Sequence, residues 1–234
     1  MSLARQTDVR GMFDRIAPTY DLANRVMSGG VDTLWRKAVM KRLPLNGTVL
    51  DLCAGTLDFT MLLAARGAEH VHALDLSPKM LEVGQKRLPP GARVTVTVGD
   101  AQALPFEDET FVGGVCSFGI RNVPDNGLAL AELLRVLKPG GRFVVLEFFR
   151  PTRWDAQAFH AVFNRLVLPN VGGLISGDRQ AYKYLADSME QYLTRSQFCA
   201  LAERAGFEVS EAKEMMPPVA SMVCLTKPSA ESPA

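Results

Sequence analysis

The chain has 234 residues, 47% of them hydrophobic, and its 26 basic and 25 acidic side chains leave a formal charge of +1. That length suits one α/β domain, or one domain with a small cap, and is enough to bury a substantial core. A near-neutral balance without blocks of like charge argues against nucleic acid as a partner, because phosphate binding shows as a basic excess or stripe.

Residues 1–46 read as helical pieces. Trp35, Ala38, Val39 and Leu43 recur at helical spacing, and Pro44 and Gly47 end the run. From Thr48 the period changes. A short apolar strand over 49–52 leads to a helix over 59–66 closed by Gly67, then to a second strand over 71–75. The next helix, 78–88, opens on Pro78, whose missing N–H costs nothing in a first turn. Strands follow over 93–98 and 111–117, then an amphipathic helix over 126–137 ended by Pro139-Gly140-Gly141. The fifth strand, 142–148, is nearly all apolar, as a strand buried on both faces should be. Strands alternating with helices of this length predict right-handed crossovers and a Rossmann-like, doubly wound, mostly parallel sheet.

Beyond Pro151 the pattern predicts helices over 155–168 and 181–191 around a glycine-rich link at 172–178. A helix over 196–205 and a closing hairpin from 207–211 and 219–226 complete the chain. The expected organisation is one domain over 1–234: N-terminal helices 1–46, a ligand-binding core 47–150, a helical cap 151–205, C-terminal strands 206–227 and a disordered tail 228–234. Cys53, Cys116, Cys199 and Cys224 form no Cys-x-x-Cys pair and read as free thiols of a reducing compartment. The N-terminus carries no apolar signal core and no long apolar run follows, so a cytoplasmic location is expected, with peripheral contact at the inner face of the membrane left open.

In an open parallel sheet, ligands bind beyond the carboxyl ends of the strands, where the winding reverses. Asp51 ends the first strand, and Gly55 lets a ligand approach the backbone closely. Asp75 ends the second strand, where a carboxylate accepts from both hydroxyls of a ribose; the plainer reading is a cap before Ser77-Pro78. A dinucleotide site wants Gly-x-Gly-x-x-Gly, but this loop has one glycine, flanked by Asp51 and Asp58. Two acids disfavour a pyrophosphate and suit the cationic end of S-adenosylmethionine. Gly99-Asp100-Ala101 follows the third strand and either reads an adenine edge or forms an Asx turn. Ser117 ends the fourth strand at the same crevice. No metal is expected: His70 and His72 share a strand face, but no third ligand is near in sequence.

Asp51-Leu-Cys-Ala-Gly-Thr-Leu-Asp58, Asp75, Gly99-Asp100-Ala101 and Leu137-Lys-Pro-Gly-Gly141 together resemble the seven-stranded class I methyltransferases. Further motifs narrow the resemblance to the ubiquinone/menaquinone biosynthesis C-methyltransferase family. They are Met12-Phe-Asp-Arg-Ile-Ala-Pro-Thr-Tyr-Asp21, Ser117-Phe-Gly-Ile-Arg-Asn-Val123, Arg135-Val-Leu-Lys-Pro-Gly-Gly-Arg142, Leu146-Glu-Phe148 and Ile175-Ser-Gly-Asp178. The resemblance implies S-adenosylmethionine as cofactor and C-methylation of a prenylated quinol ring: demethylmenaquinol, or in some members a benzoquinol precursor of ubiquinone. It places cofactor contacts on Thr56, Asp75, Asp100, Ala101 and Ser117. Where class I loops read Gly-Thr-Gly-Asp, this chain has Gly55-Thr56-Leu57-Asp58. Leucine pays for positive φ, so Leu57 is expected in an ordinary conformation, packed under the following helix or crowding the cofactor.

Such a reaction needs alignment and a nucleophilic ring carbon. A quinol hydroxyl has a phenol-like pKa of ~10, so a fixed cation beside it would stabilise the developing phenolate. Arg121 is assigned that role and Asn122 the positioning of the ring; the alternative is that both cap loop carbonyls. Asp21, Tyr20, His160 and a water are candidate bases. The stripe Phe13, Ile16 and Tyr20 and the segment 159–168, with Phe163, Leu166 and Val167, read either as core or as lid and tail-lining surface. A homodimer is left open.

Overall fold

The computed structural model describes residues 3–229; of the expected disordered tail, 230–234 lie outside the described residues. The strands are β1 Thr48–Leu52, β2 His70–Asp75, β3 Val94–Val98, β4 Phe111–Ser117, β5 Leu137–Glu147, β6 Glu208–Glu214 and β7 Ser221–Thr226. They form one seven-stranded sheet in the order β3-β2-β1-β4-β5-β7-β6. β1 to β5 are parallel and β7 runs antiparallel to both β5 and β6. The strand order reverses between β1 and β4, so a crevice opens beyond Leu52 and Ser117, as such sheets require.

β5 starts five residues before its expected beginning. Leu137 pairs with Phe111, the intervening Lys-Pro-Gly-Gly bulges out, and pairing resumes at Arg142 opposite Gly113. A turn read from sequence is thus an interruption inside a strand.

Ten α-helices among the described residues surround the sheet: α1 Leu3–Ile16, α2 Tyr20–Ser28, α3 Asp32–Met40, α4 Asp58–Ala65, α5 Pro78–Gln85, α6 Asn126–Val136, α7 Trp154–Val162, α8 Gly173–Ser176, α9 Arg179–Gln191 and α10 Arg195–Arg204. Local chemistry starts several of them. Ser77 accepts the Met80 amide at the head of α5, Asp125 accepts those of Gly127 and Leu128 at α6, and Thr194 forms a capping box with Gln197 at α10. One side of the sheet packs Leu52 and Phe143 against Leu133 of α6 and Phe198 of α10. The other packs Val49 and Val144 against Val39 of α3 and Leu63 of α4.

A third cluster stands apart from the sheet and joins the two ends of the chain. Met12, Ile16 and Ala23 pack there with Leu168, Tyr182 and Met189, so α1 and α2 belong to the same helical cap as α9. The expected glycine-rich link is absent as a loop. α7 continues through a segment of i→i+5 winding, Phe163–Gly172, into α8. Pro169 lies inside that segment. It removes a backbone donor and would clash with the preceding turn of an α-helix, and the wider winding accommodates it. No helix among the described residues is long and apolar enough to cross a membrane.

Candidate active site

The crevice at the β1/β4 switch point spans about 700 Å³ of space open to solvent. Six of the residues expected there line it: Gly55, Asp75, Asp100, Ala101, Ser117 and Asn122. Asp75 is gripped by two amides, Gly55 N–H on Oδ2 and Ser77 N–H on Oδ1, each at 2.8 Å. Burial pushes its carboxyl above the ordinary range despite those bonds. Asp100 Oδ1 accepts the Gln102 amide at 2.9 Å, the Asx turn of the plainer reading, while its side chain still borders the crevice. Ser117 Oγ is buried and has no hydrogen-bond partner within the protein.

Two expected contacts stand behind the wall instead. Asp51 is 1% exposed, and its Oδ2 accepts the Thr60 hydroxyl at 2.6 Å, tying β1 to α4. Burial pushes its pKa up to about 7. Thr56 is also buried and donates its hydroxyl to Asp21 of α2, which in turn is paired with Arg87. Arg87 bridges on to Asp58 at 2.6 Å. Asp51 and Thr56 therefore shape the loop without lining the crevice, because closer protein partners claim their side chains.

The expectation for Leu57 is overturned. Its φ is +65°, in the left-handed region, and its side chain is fully buried against Ala73 and Leu81. The strain, about 1–2 kcal/mol, is offset by burial of roughly 1.5–3 kcal/mol. Gly84 of α5 makes the packing feasible: a Cβ there would stand 2.5 Å from Leu57 Cγ and 2.6 Å from the Thr56 carbonyl. Cys53 and Phe118 also have positive φ, so two of the four non-glycine residues in that conformation among the described residues line the crevice, and a third, Leu57, is buried behind it. Such bends concentrate where backbone must approach a ligand.

A second cavity of about 880 Å³ lies on the other side of Tyr20 and Phe118, which line both. Phe118 and Phe148 stack at 4.4 Å, and Trp35 meets each at just over 6 Å. Met27, Phe163, Leu168, Leu185 and Met189 extend the apolar lining. Phe163 thus faces the cavity as one of its two sequence readings had it, whereas Leu166 points outward and is exposed. From α1, Val9 and Phe13 border the first cavity, while Ile16 is core.

Arg121 and Asn122, adjacent on a 3-10 turn at Ile120–Asn122, look into different cavities: Asn122 into the first, Arg121 into the second. Arg121 also caps a loop carbonyl, donating to Phe118 O at 2.8 Å. Its strongest partner is Glu147, fully buried, at 2.6 Å. Glu147 accepts the Phe148 amide at 2.7 Å and the Arg121 amide at 3.3 Å as well. Burial pulls the guanidinium toward neutrality, but the Glu147 charge, with Tyr20, more than offsets this and raises its pKa. Glu147 is the residue that sequence reasoning overlooked. Its signal was an acid inside an otherwise apolar central strand.

Among the candidate bases, His160 is buried against Val219 O and Asp21 is held at the back of the loop; neither lines a cavity. Tyr20 lines both, and burial pushes its phenol up despite a hydrogen bond with Asn24. The Ile-Ser-Gly-Asp segment is a helix junction. Ser176 caps Gly172 O, Asp178 starts α9, and Arg15 of α1 pairs with Asp178 at 2.9 Å. His70 bonds Thr95 Oγ1, and His72 packs edge-on against Phe106 and Phe111. No metal-binding group of three or more His, Cys, Asp or Glu occurs among the described residues.

The residues present fit S-adenosylmethionine. Asp75, Asp100 and Ser117, whose buried hydroxyl has no partner within the protein, line the crevice together with Gly55 and Gly99. Comparison with known proteins points the same way. The family model described as the ubiE/COQ5 methyltransferase family matches residues 1–227. The chain is 44% identical to the ubiquinone/menaquinone biosynthesis C-methyltransferase UbiE of Syntrophotalea carbinolica, over 86% of each chain. It is 45% identical to the demethylmenaquinone methyltransferase of Thermotoga maritima, over 85% of this chain and 87% of that one. A solved SAM-dependent methyltransferase from Thermotoga maritima has the same fold, with a TM-score of 0.69 at 21% identity over 94% of this chain and 99% of that one.

Proposed function

The chain belongs to the ubiE/COQ5 methyltransferase family, and from that premise we propose that it methylates a ring carbon of a prenylated quinol, converting demethylmenaquinol to menaquinol. One observation carries the reading. An acid-lined nucleoside crevice and an aromatic-walled apolar cavity share a single partition, Tyr20 and Phe118, with one buried cation on the apolar side.

S-adenosylmethionine, once bound, supplies a methyl group on a sulfonium, an electrophile whose leaving group needs no acid. Asp75 keeps lone pairs beyond those used by Gly55 and Ser77, and these would take the ribose hydroxyls. Asp100 and Ala101 line the crevice and would take the adenine, and the cofactor would offer the Ser117 hydroxyl the partner it lacks within the protein. Asp51 and Thr56 act by holding the loop in place. On the acceptor side, Trp35, Phe118 and Phe148 hold a flat ring and exclude water. Arg121 would stabilise the phenolate as the hydroxyl proton leaves, and Asn122, which lines the cofactor crevice beside the partition, would help position the ring where the two cavities adjoin. With Asp21 and His160 withdrawn from the cavity and Tyr20 protonated, the hydroxyl proton passes to water; after the carbon gains its methyl, loss of the hydrogen it carried and reprotonation of the oxygen, both through water, would restore the quinol. A prenylated acceptor resides in a bilayer, so the enzyme works in peripheral contact with the inner face of the membrane.

The test incubates the purified protein with methyl-labelled S-adenosylmethionine and demethylmenaquinol, and reads the quinone by mass spectrometry. Incorporation of one labelled methyl on the ring is expected. Labelling of a benzoquinol precursor alone would move the substrate assignment, and failure to bind S-adenosylmethionine by calorimetry would end it.

A further inference from the structure

Arg121 is not the only cation in the wall of the second cavity. Arg36 of α3 lines it too, with Asp32 and Ser28 beside it. A chain of contacts fixes its guanidinium. Ser28, at the end of α2, donates its hydroxyl to Asp32 Oδ1 at 3.0 Å, and Asp32 Oδ2 accepts Arg36 Nε at 3.3 Å. The guanidinium also lies over the Phe59 ring, with Cζ 5.7 Å from the centroid. An i,i+4 pair on an open helix face is ordinary, but these side chains are only 13% and 21% exposed and border a cavity.

One edge and one face of Arg36 are therefore held, while Nη1 and Nη2 have no acceptor among the described residues. Asp21 and Asp51 feel its charge, yet Asp21 is engaged by Thr56 and Arg87 and Asp51 by Thr60. Arg121 is more fully committed. Its Nε donates to Ser188 and its Nη1 to Phe118 O and Glu147, which leaves Nη2. Both cations act on the Tyr20 phenol, so both stand near the partition between the cavities. Once a flat ring has displaced water from aromatic walls, a donor left there without an acceptor costs free energy. A prenyl tail brings no acceptor. A quinol ring brings two oxygens, para to each other, and the one free nitrogen of Arg121 serves only one of them.

We propose that Arg36, held in place by Asp32, binds the ring oxygen remote from the methylated carbon, while Arg121 takes the oxygen beside that carbon. A ring pinned at one oxygen turns about that contact; pinned at both, it presents a single carbon to the methyl donor. This rests on the quinol reading above. The test compares two short-tailed, water-soluble acceptors under anaerobic conditions. One is a naphthalene-1,4-diol, the other the 1-naphthol that lacks only the hydroxyl remote from the carbon to be methylated. Their intrinsic reactivities differ by the same factor in every variant, so the change in their ratio on mutation is what counts. Arg36→Met should lower kcat/KM for the diol by about tenfold and for the naphthol by less than about twofold. Asp32→Asn, which frees the guanidinium to swing, should lower the ratio in the same direction by less. If thermal melts show Arg36→Met to be unfolded, Arg36→Lys carries the test, because it keeps the charge and loses the fork and should also lower the ratio. Equal slowing of both acceptors by the Arg36 variant overturns the proposal, since an arginine that only braces α3 would act on both alike. Binding without turnover is read by calorimetry in the presence of S-adenosylhomocysteine. If the wild type methylates neither acceptor, the substrate reading fails, and the same ratio taken from the two Kd values decides for or against Arg36.

Discussion

The two cavities share a partition and little else. The cofactor crevice is built by backbone: strand ends, left-handed turns at Cys53, Gly55, Leu57 and Phe118, and amides that fix Asp75. The acceptor cavity is built by side chains from α2, α3, the cap and the loops after β4 and β5, beside the buried Arg121–Glu147 pair and with Arg36–Asp32 in its wall. The first should therefore be sensitive to small intrusions on the main chain. The second should be sensitive to changes of charge.

The largest effect is expected at the ion pair. Arg121→Ala leaves Glu147 buried without its partner, which should cost about 3–5 kcal/mol of stability and lower turnover by roughly 10²–10³. Chemical denaturation and single-turnover kinetics read these separately. Glu147→Gln keeps the shape and removes the charge; kcat should fall with little change in cofactor affinity, and Arg121→Ala/Glu147→Gln should be more stable than Arg121→Ala alone. If the double variant is no more stable, the pair is not what holds this cavity.

A smaller effect, confined to the other cavity, is expected of Gly84→Ala. The new methyl would meet Leu57 and the Thr56 carbonyl, so the loop must shift. A stability loss of about 1–3 kcal/mol and weaker cofactor binding by calorimetry should come with an unchanged KM for the acceptor. A change in acceptor KM alone would reverse the comparison.

The smallest effect concerns pH. Burial raises Asp51 to about 7, above its unfolded value, so the folded protein holds a proton there that the unfolded chain gives up. Stability should therefore decline as pH rises from about 4 to about 7, and level off above. Asp51→Asn should flatten that limb in thermal melts across the range. A cationic ligand favours the ionised form, so affinity for S-adenosylmethionine should weaken below pH 7 more than affinity for S-adenosylhomocysteine, which lacks the sulfonium charge. Parallel pH profiles for the two ligands would remove Asp51 from this role.

The sequence made the backbone-built half legible, because strand period, turn glycines and end-of-strand acids are local signals. Asp75, Asp100 and Ser117 follow from their places at strand ends. Asp51 and Thr56 occupy equally good positions but turn to Thr60 and Asp21, and only packing decides which way a side chain turns. Leu57 was misread for a related reason: its penalty is local, whereas the compensation comes from Gly84, 27 residues on. In the cap, the glycine-rich stretch 172–178 looked like a link, and tertiary packing against α2 and α9 kept it helical as far as Ser176. Glu147 and Arg121 are 26 residues apart, and nothing in either neighbourhood announces the other.

α1 and α2 touch both halves. Asp14 accepts the Ser77 hydroxyl at the head of α5 and Asp21 that of Thr56 in the cofactor loop, while Tyr20, Asn24 and Met27 of α2 wall the acceptor cavity. Whatever cofactor occupancy does to the placement of these helices is felt by the acceptor, and thermodynamic linkage makes that influence mutual: the factor by which one ligand tightens the other must be the same in both directions. Any ordering of the N-terminal helices by cofactor would thus become a source of cooperativity between two ligands whose cavities adjoin at Tyr20 and Phe118.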